Sequence, residues 1–338
     1  MKIKRIGLDL AKQVFQVHGV DGEDRVALKR QLRRQQMLAF FSKIDPCLIG
    51  MEACGGAHYW GRELMKLGHT VRLMAPQHVK PYVKGNKNDM NDAEAICEAV
   101  GRPNMRFVAV KTVAQQDLQS CHRVRTLLVR QRTAKANEIR GLLGEYGIVV
   151  LNRIESLRRA LPVLLESTDS IPGEGLRQLL MALREDLVYL DERVRQLDQV
   201  IERAAREDTV ARRLQQIPGI GPVTATALVA SVGDARQFRR ARDMSAWLGL
   251  VPRQQSSGGK AVLQGISKRG DAYLRTLLIH GARSVARVAS RKTDARSQWV
   301  DRISQRRHAN IAAVALANKN ARIAWALMTR GTDYVPQG

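Results

Sequence analysis

The chain has 338 residues, of which 44% are hydrophobic, and 56 Lys and Arg against 32 Asp and Glu give it a formal net charge of +24. This length and apolar content suffice for two or three folded domains with cores of their own, which excludes a disordered polycation. The positive charge indicates a polyanionic partner and favours nucleic acid over a membrane surface.

The sequence also argues against membrane and secreted proteins. No apolar run approaches the roughly 20 residues that span a bilayer, and the N-terminal stretch MKIKRIGLDL lacks the hydrophobic region of a signal peptide. The four cysteines form no C-x-x-C pair, and the seven histidines fall at no zinc-ligand spacing. We therefore expect a cytoplasmic protein without a membrane segment, a structural zinc or a disulfide framework.

Residues 1–110 are predicted to form an α/β domain. The short β-rich runs IKRIGLDL, QVFQVHGV and RVALKRQL are separated by turn signals such as DGED, which indicates a three-stranded meander. A helix in QMLAFFSKI, a buried strand in CLIGMEA, a helix in HYWGRELMKLG that ends at Gly68 and a strand in TVRLMAP follow. Strands that alternate with helices after a meander are typical of an α/β layered sheet.

Residues 111–208 are predicted to form coiled-coil helices. A long charged helix is expected from Val113 to Tyr146, and a second follows a loop that contains SIPGEG. Apolar residues of the second helix alternate at spacings of four and three, at Leu176, Leu180, Leu183, Leu187, Leu190, Val194, Leu197 and Ile201. Its partner is either the first long helix, in an intrachain hairpin, or a second subunit, and the sequence does not choose between them.

Residues 209–338 are predicted to be mainly helical, interrupted by one glycine-rich loop in QQSSGGK. From Arg236 to Arg330 there are 20 Lys and Arg against 4 acids, so this segment holds 16 of the 24 net positive charges. We therefore expect the C-terminal part to lie on phosphates.

Four acidic residues stand out in the first domain. Asp9 ends the apolar run of the first strand, and Glu52 that of the fourth, where a carboxylate is costly unless it is neutralised. Asp89 and Asp92, in KGNKNDMNDAEAI, lie three residues apart on one face of a helix start. Turn and capping roles explain each acid singly. Together, an acid on the first strand, an acid on the fourth strand and a pair of aspartates on a helix have the layout of the ribonuclease H-like fold. In that fold such acids converge on Mg²⁺, a cation that prefers oxygen ligands.

The glycine-rich loop is the second candidate site. Its glycines allow the backbone to approach a phosphate closely, and Lys260, Lys268, Arg269 and Arg275 would supply positive charge. The residues by themselves indicate a loop that contacts phosphate. A Walker A nucleotide-binding loop is excluded because Ala261 follows the lysine.

The stretch IPGIGPVTA has two interpretations. It resembles the hairpin of helix-hairpin-helix modules, whose turn amides, here at Gly219 and Gly221, contact DNA phosphate irrespective of base sequence. The alternative is a tight turn that joins two packed helices. Aromatic residues make up only 4% of the chain, which argues against a base-stacking platform such as an RRM.

Six stretches in order resemble the successive motifs of DEDD-type insertion-sequence transposases, namely IGLDLAK, GMEACGGAHYWGREL, KNDMNDAEAI, IPGIGPVTA, WLGLVPRQQSSGGK and ISKRGDAYLRTLL. The resemblance covers nearly the whole chain. It implies an N-terminal domain like the RuvC Holliday-junction resolvases, a coiled-coil middle and a C-terminal transposase domain.

The resemblance also implies roles for individual residues. The family's four acids, which hold divalent metal, fall on Asp9, Glu52, Asp89 and Asp92. The family's serine nucleophile falls on Ser256 or Ser257, and we prefer Ser257 because it directly precedes the Gly258-Gly259 pair.

The implied activity is that of a recombinase that excises and integrates its own element. The implied partners are double-stranded DNA of the element ends and target, a noncoding guide RNA from the element, and further copies of the chain in a dimer or tetramer. Ser257 would attack a DNA phosphate to give a phosphoserine link while the acids position Mg²⁺.

Two other functions compete with this interpretation. The first is a metal-dependent, structure-specific endonuclease of the resolvase type, which activates water and needs no serine. The second is a basic coiled-coil protein that binds nucleic acid architecturally and uses the acids only as caps. A covalent intermediate distinguishes the recombinase from the endonuclease, and metal dependence distinguishes both from the architectural protein.

Overall fold

A computed structural model describes residues 2–85, 88–167, 171, 173–258 and 260–336. The chain forms two compact units, one of Met1–Gln116, Ala230–Trp247 and Met328–Arg330, the other of Asp117–Val229, Leu248–Leu327 and Gly331–Gly338. The three-domain division at residues 110 and 208 stays a prediction.

The strands and α-helices that the structure describes up to Val108 are β1 Arg5–Leu10, β2 Val14–Val20, β3 Val26–Arg33, α1 Met37–Phe41, β4 Leu48–Glu52, α2 Ala57–Lys66, β5 Thr70–Met74, α3 Pro76–Val79, α4 Asp89–Val100 and β6 Phe107–Val108. The elements after it are α5 Val113–Glu145, α6 Ile154–Glu166, α7 Glu174–Glu207, α8 Thr209–Gln215, α9 Pro222–Val232, α10 Ala241–Trp247, β7 Pro252–Ser257, β8 Lys260–Ile266, α11 Ala272–Val288, α12 Ala295–Arg306 and α13 Ala309–Arg330.

The first unit contains a six-stranded mixed sheet in the order β3-β2-β1-β4-β5-β6. The predicted meander is confirmed, because β1, β2 and β3 pair antiparallel in sequence order. β4 then pairs parallel with β1, with Leu8 opposite Met51, and β5 pairs parallel with β4. The short edge strand β6, antiparallel to β5, was not predicted. The predicted α/β sheet is thus present.

The two faces of this sheet are packed differently. Ile6 and Leu8 are fully buried in a large core on one face, together with residues of α1 and α2. On the opposite face α4 lies almost against the strand backbones. A Cβ atom on Gly7 would come within 2.1 Å of the Ala93 carbonyl oxygen, and one on Gly50 within 2.7 Å of the Val100 side chain. The glycines therefore allow α4 to lie directly over β1 and β4.

The second unit contains the long helices. Helix α5 begins at the predicted residue and ends one residue before the predicted end. Helix α7 carries the predicted apolar stripe, whose members are buried or half-buried. Ion pairs join Arg132 to Asp191 at 3.2 Å and Lys135 to Asp186 at 2.6 Å. The later residue of α5 pairs with the earlier residue of α7, so the two helices run antiparallel. These ion pairs place α5 beside α7 within one chain, as the intrachain interpretation predicts, and the coiled coil stays a prediction.

The glycine-rich loop is a correction. The sequence predicts one loop within a mainly helical segment, whereas β7 and β8 form a two-stranded antiparallel hairpin in which Ser257 pairs with Lys260. The sequence PRQQSS lacks the alternation of apolar and polar residues that marks a half-buried strand, and the hairpin residues 252–256 and 262–265 are all exposed. The helices α8 to α13 make this segment mainly helical, as predicted. In the described part of the chain, no helix has the length and apolar character needed to cross a membrane.

Candidate active site and nucleic-acid interface

Asp9 and Glu52 lie side by side at the carboxyl ends of two parallel strands. The β1–β4 pairing runs to Leu8 opposite Met51, and each acid is the next residue of its strand. Asp9 shares the sheet face of Gly7, and Glu52 shares that of Gly50, because side chains alternate along a strand. Both acids therefore lie on the face that α4 covers.

The Cys54 thiol lies near both acids. Burial raises the pKa of Cys54, and the negative charges of Glu52 and Asp9 raise it further. Two carboxylates that act on the same thiol lie within electrostatic reach of each other. Asp9 and Glu52 are half-buried, as expected for acids at the end of a buried strand.

Asp89 and Asp92 lie in the first turn of α4. The helix runs opposite to β1, because Arg5 Nε donates to the Cys97 carbonyl at 3.1 Å whereas Gly7 lies against Ala93. Asp9 lies two residues beyond Gly7 along β1, and therefore nearer to the first turn of α4. Asn88 forms the N-cap, and its side chain accepts from the Met90 amide at 2.9 Å.

The four acids thus form two pairs on one side of the sheet. Their donor atoms suit a hard divalent cation, since carboxylate oxygens are the ligands that Mg²⁺ prefers. Among the described residues, no three His, Cys, Asp or Glu side chains are close enough together to hold a metal ion. The donor chemistry fits a divalent metal, and binding would require the two pairs to come closer together.

The serine candidates lie at the tip of the β7–β8 hairpin. Ser257 ends β7 and Lys260 begins β8, and Gly258 between them has a positive φ of 54°. The side chains of Ser257 and Lys260, and all of Gly259, lie outside the described part of the structure. Ser256 is described, and its hydroxyl oxygen accepts a hydrogen bond of 2.7 Å from the Gln254 side chain.

The three other predicted phosphate contacts follow β8. Lys268 and Arg269 are exposed, and Lys268 has a positive φ of 54°. Arg275 is half-buried, and its Nη1 donates to the carbonyls of Leu248 at 3.1 Å and Arg269 at 3.3 Å. The structure therefore gives Arg275 a role in holding this connection together, and leaves Lys268 and Arg269 open to a ligand.

The predicted hairpin between helices is present as the turn between α8 and α9. Gly219 has a φ of 91°, and a Cβ atom there would lie 2.9 Å from the Gly281 carbonyl oxygen of α11. Gly221 is exposed with open space around it. Gly219 therefore packs against α11, as the interpretation of a tight turn between packed helices predicts, and the contact of this turn with DNA phosphate stays a prediction.

Sequence reasoning missed a buried hydrogen-bond chain in the second unit. His122 lies between the Tyr273 hydroxyl at Nδ1 and the Thr226 hydroxyl at Nε2, each at 3.0 Å. Thr226 donates its proton to the Pro222 carbonyl at 2.7 Å, so Nε2 of His122 must be the donor and Nδ1 the acceptor. Burial lowers the pKa of His122 to about 4. No spacing in the sequence connects these residues.

Comparison with known proteins adds two matching families. The model of the family described as Transposase matches residues 6–148, and that of the Transposase IS116/IS110/IS902 family matches residues 211–298. The chain is 57% identical to a "Probable family 20 transposase" of Pseudomonas aeruginosa PAO1, over 99% of this chain and 100% of that protein. It is 47% identical to the "Transposase for insertion sequence element IS1111A" of Coxiella burnetii, over 98% of this chain and 91% of that protein. It is 42% identical to the "Transposase for insertion sequence element IS1328" of Yersinia enterocolitica, over 97% of this chain and 98% of that protein.

Proposed function

Because the chain belongs to the IS116/IS110/IS902 family of DEDD transposases, and is therefore a DNA transposase, we propose that it excises and integrates its own insertion sequence by Mg²⁺-dependent strand cleavage and exchange. The observation that carries the proposal is the adjacency of Asp9 and Glu52 at the ends of β1 and β4, on the sheet face where α4 presents Asp89 and Asp92.

In this proposal the four acids hold the metal ions. Bound Mg²⁺ would stabilise the attacking and leaving oxygens at the phosphodiester. Asp9 and Glu52 are fixed by the pairing of their strands, and Asp89 and Asp92 by the seating of α4 on Gly7. Closure of the two pairs around metal and DNA phosphate would neutralise the carboxylates.

Ser257 is the proposed nucleophile. Its Oγ loses a proton and forms a bond to the scissile phosphorus, while the bond between phosphorus and the leaving deoxyribose oxygen breaks and that oxygen takes up a proton. A hydroxyl of the incoming strand then attacks the phosphoserine and releases the serine. The position of Ser257 at a hairpin tip supports the proposal, because an exposed tip can reach a DNA backbone.

The charge distribution supports nucleic-acid partners. The 16 net positive charges between Arg236 and Arg330 suit both DNA and a structured RNA. We include in the proposal an element-encoded noncoding guide RNA, contacts of Gly219, Gly221, Lys260, Lys268, Arg269 and Arg275 with nucleic acid, and assembly as a dimer or tetramer.

The competing function is a structure-specific endonuclease of the resolvase type, which the same four acids would serve by activating water. A reaction of purified protein with nicked element DNA, with Mg²⁺ or EDTA, separates the two. We expect a protein-DNA adduct that survives denaturation and forms only with Mg²⁺. Cleavage without an adduct would establish the endonuclease, and binding without cleavage would remove both enzymatic proposals.

A further inference from the structure

A cavity of about 400 Å³ lies in the second unit beside the turn at Pro218 and Gly219. Its other walls come from the end of α11, the start of α12 and the chain after α13. The cavity shares no residue with the four acids or with the β7–β8 hairpin. It therefore belongs to neither part of the proposed strand-transfer site.

Arg296 is a buried cation in the wall of this cavity. Its side chain belongs to a residue that is only 9% exposed. Nη2 donates to the Tyr334 hydroxyl at 2.5 Å, and the guanidinium lies 5.1 Å from the centre of the Tyr334 ring. Nη1 is buried and has no hydrogen-bond partner among the described residues. A buried guanidinium without a compensating anion destabilises the fold.

The other charges of the cavity do not compensate Arg296. Asp294 accepts from the Ser297 amide at 3.0 Å and from the Ser297 hydroxyl at 2.7 Å, as the N-cap of α12. These bonds hold the pKa of Asp294 below its usual value. Lys292, which is exposed, adds a second cation to the wall. The charged residues of the cavity wall are thus two cations, Arg296 and Lys292, and one acid, Asp294, which already caps α12.

We propose that this cavity binds a phosphate group of a nucleic-acid strand, with Arg296 as the buried ligand and Lys292 at the rim. A guanidinium offers several N–H donors to phosphate oxygens, and a phosphate would satisfy the unpaired Nη1 and its charge together. Only the identity of the polyanion rests on the proposed function. The cavity lies against the turn at Pro218 and Gly219, which one of the two interpretations of IPGIGPVTA places on a DNA backbone, so that a strand bound there would place a phosphate within its reach.

The first experiment measures thermal stability of the full-length protein in chloride and in inorganic phosphate at equal ionic strength. We expect phosphate to raise the melting midpoint of the parent, and Arg296→Gln to lose at least half of that rise. The matched control is Arg302→Gln, because Arg302 is an exposed arginine of α12 outside the cavity wall.

Lys292→Gln keeps the assignment testable if Arg296→Gln fails to fold, because Lys292 is exposed and its replacement leaves the fold intact. It should lose part of the same rise. A full rise in every variant that folds, or an equal loss in Arg302→Gln, would overturn the proposal.

The second experiment distinguishes a strand from free phosphate. Binding of a short DNA duplex and of a single-stranded RNA is measured at several salt concentrations. For at least one strand, Arg296→Gln should weaken binding about tenfold and reduce the slope of log K against log salt by about one, more than Arg302→Gln does. Unchanged strand binding would overturn the proposal even if inorganic phosphate binds. The absence of a serine adduct would instead remove the proposed strand transfer and leave the cavity assignment standing.

Discussion

Gly7 of β1 and Ala93 of α4 are in such close contact that a methyl group on Gly7 would lie 2.1 Å from the Ala93 carbonyl oxygen. Real Cβ atoms do not approach backbone oxygens so closely, so a larger residue at position 7 must displace α4 or the strand. Asp89 and Asp92 are in the first turn of that helix, and Asp9 is two residues from Gly7. The absence of a side chain at position 7 therefore allows the helix that carries Asp89 and Asp92 to lie close over β1.

We predict that Gly7→Ala lowers strand transfer at least tenfold and lowers the free energy of unfolding by about 1 to 3 kcal/mol, the usual range for overpacking. Recombination of element DNA and urea unfolding measure the two effects. The control is Gly22→Ala, because a methyl group on Gly22 would meet no atom within 4 Å and the residue adopts no left-handed conformation. If Gly7→Ala and Gly22→Ala are equally active, the seating of α4 does not position the acids.

We predict that Asp9→Asn, Glu52→Gln, Asp89→Asn and Asp92→Asn each abolish strand transfer in Mg²⁺ and leave folding and DNA binding largely intact. The reason is that each substitution keeps the shape of the side chain and removes one charged metal ligand. The matched control is Glu94→Gln on the same helix, whose carboxylate pairs with Lys84 at 3.4 Å. Recombination at the parent's level in all four variants would contradict the metal site.

Much of the first unit could be predicted from local pattern. Short β-rich runs indicate β1 to β3 and β5, a buried apolar run indicates β4, and an unbroken heptad stripe indicates α7 in the second unit, because these patterns follow from local burial. The adjacency of Asp9 and Glu52 then needs only the parallel pairing of β1 with β4.

Features that depend on contacts between distant residues could not be predicted. The close approach of α4 needs glycines at positions 7 and 50, and a glycine in a strand sequence does not show what lies over it. The sequence of the β7–β8 hairpin indicates a loop because the strand residues whose burial the structure describes are exposed or only half-buried. The hydrogen bonds from Tyr273 through His122 to Thr226 connect three helices, and no sequence periodicity predicts contacts of this kind.

We predict that acidification destabilises the second unit through His122. Its pKa is about 4 in the folded protein against an ordinary value of 6.5, so between these values the unfolded chain binds a proton that the folded chain does not. Stability is therefore lost as pH falls from 6.5 towards 4, and at pH 5 the loss is about 2 kcal/mol. For a unit of this size that corresponds to a fall of about 4 to 8 °C in the melting midpoint.

The measurement compares melting midpoints at pH 7 and pH 5 for the parent and for His122→Gln. The amide of Gln has a donor and an acceptor but does not titrate, so the fall between the two pH values should be smaller in the variant by that amount. Other groups titrate equally in both proteins and cancel in the difference. An equal fall in both proteins would show that His122 is not the source.

We predict that the protein, expressed with the DNA that flanks its gene in the element, copurifies with one discrete noncoding RNA. The net charge of +24 can hold RNA as readily as DNA, and a guide would need to remain bound until the target is found. Sequencing of the bound nucleic acid measures this. A random profile of cellular RNA, together with full recombination without the element RNA, would contradict the guide.

The last prediction distinguishes two neighbouring serines at the hairpin tip. We expect Ser257→Ala to keep metal and DNA binding but to form no protein-DNA adduct on a denaturing gel, whereas Ser256→Ala still forms one. The structure supports this choice in one respect, because the Ser256 hydroxyl already accepts a hydrogen bond from Gln254 at 2.7 Å within β7. Lys260→Ala and Arg269→Ala should slow adduct formation without abolishing it, if both cations stabilise charge on the phosphorane. Mass spectrometry of the adduct peptide locates the phosphate directly. A phosphate on Ser256 would move the nucleophile by one residue, and strand cleavage with no adduct on either serine would place the protein with the water-activating nucleases.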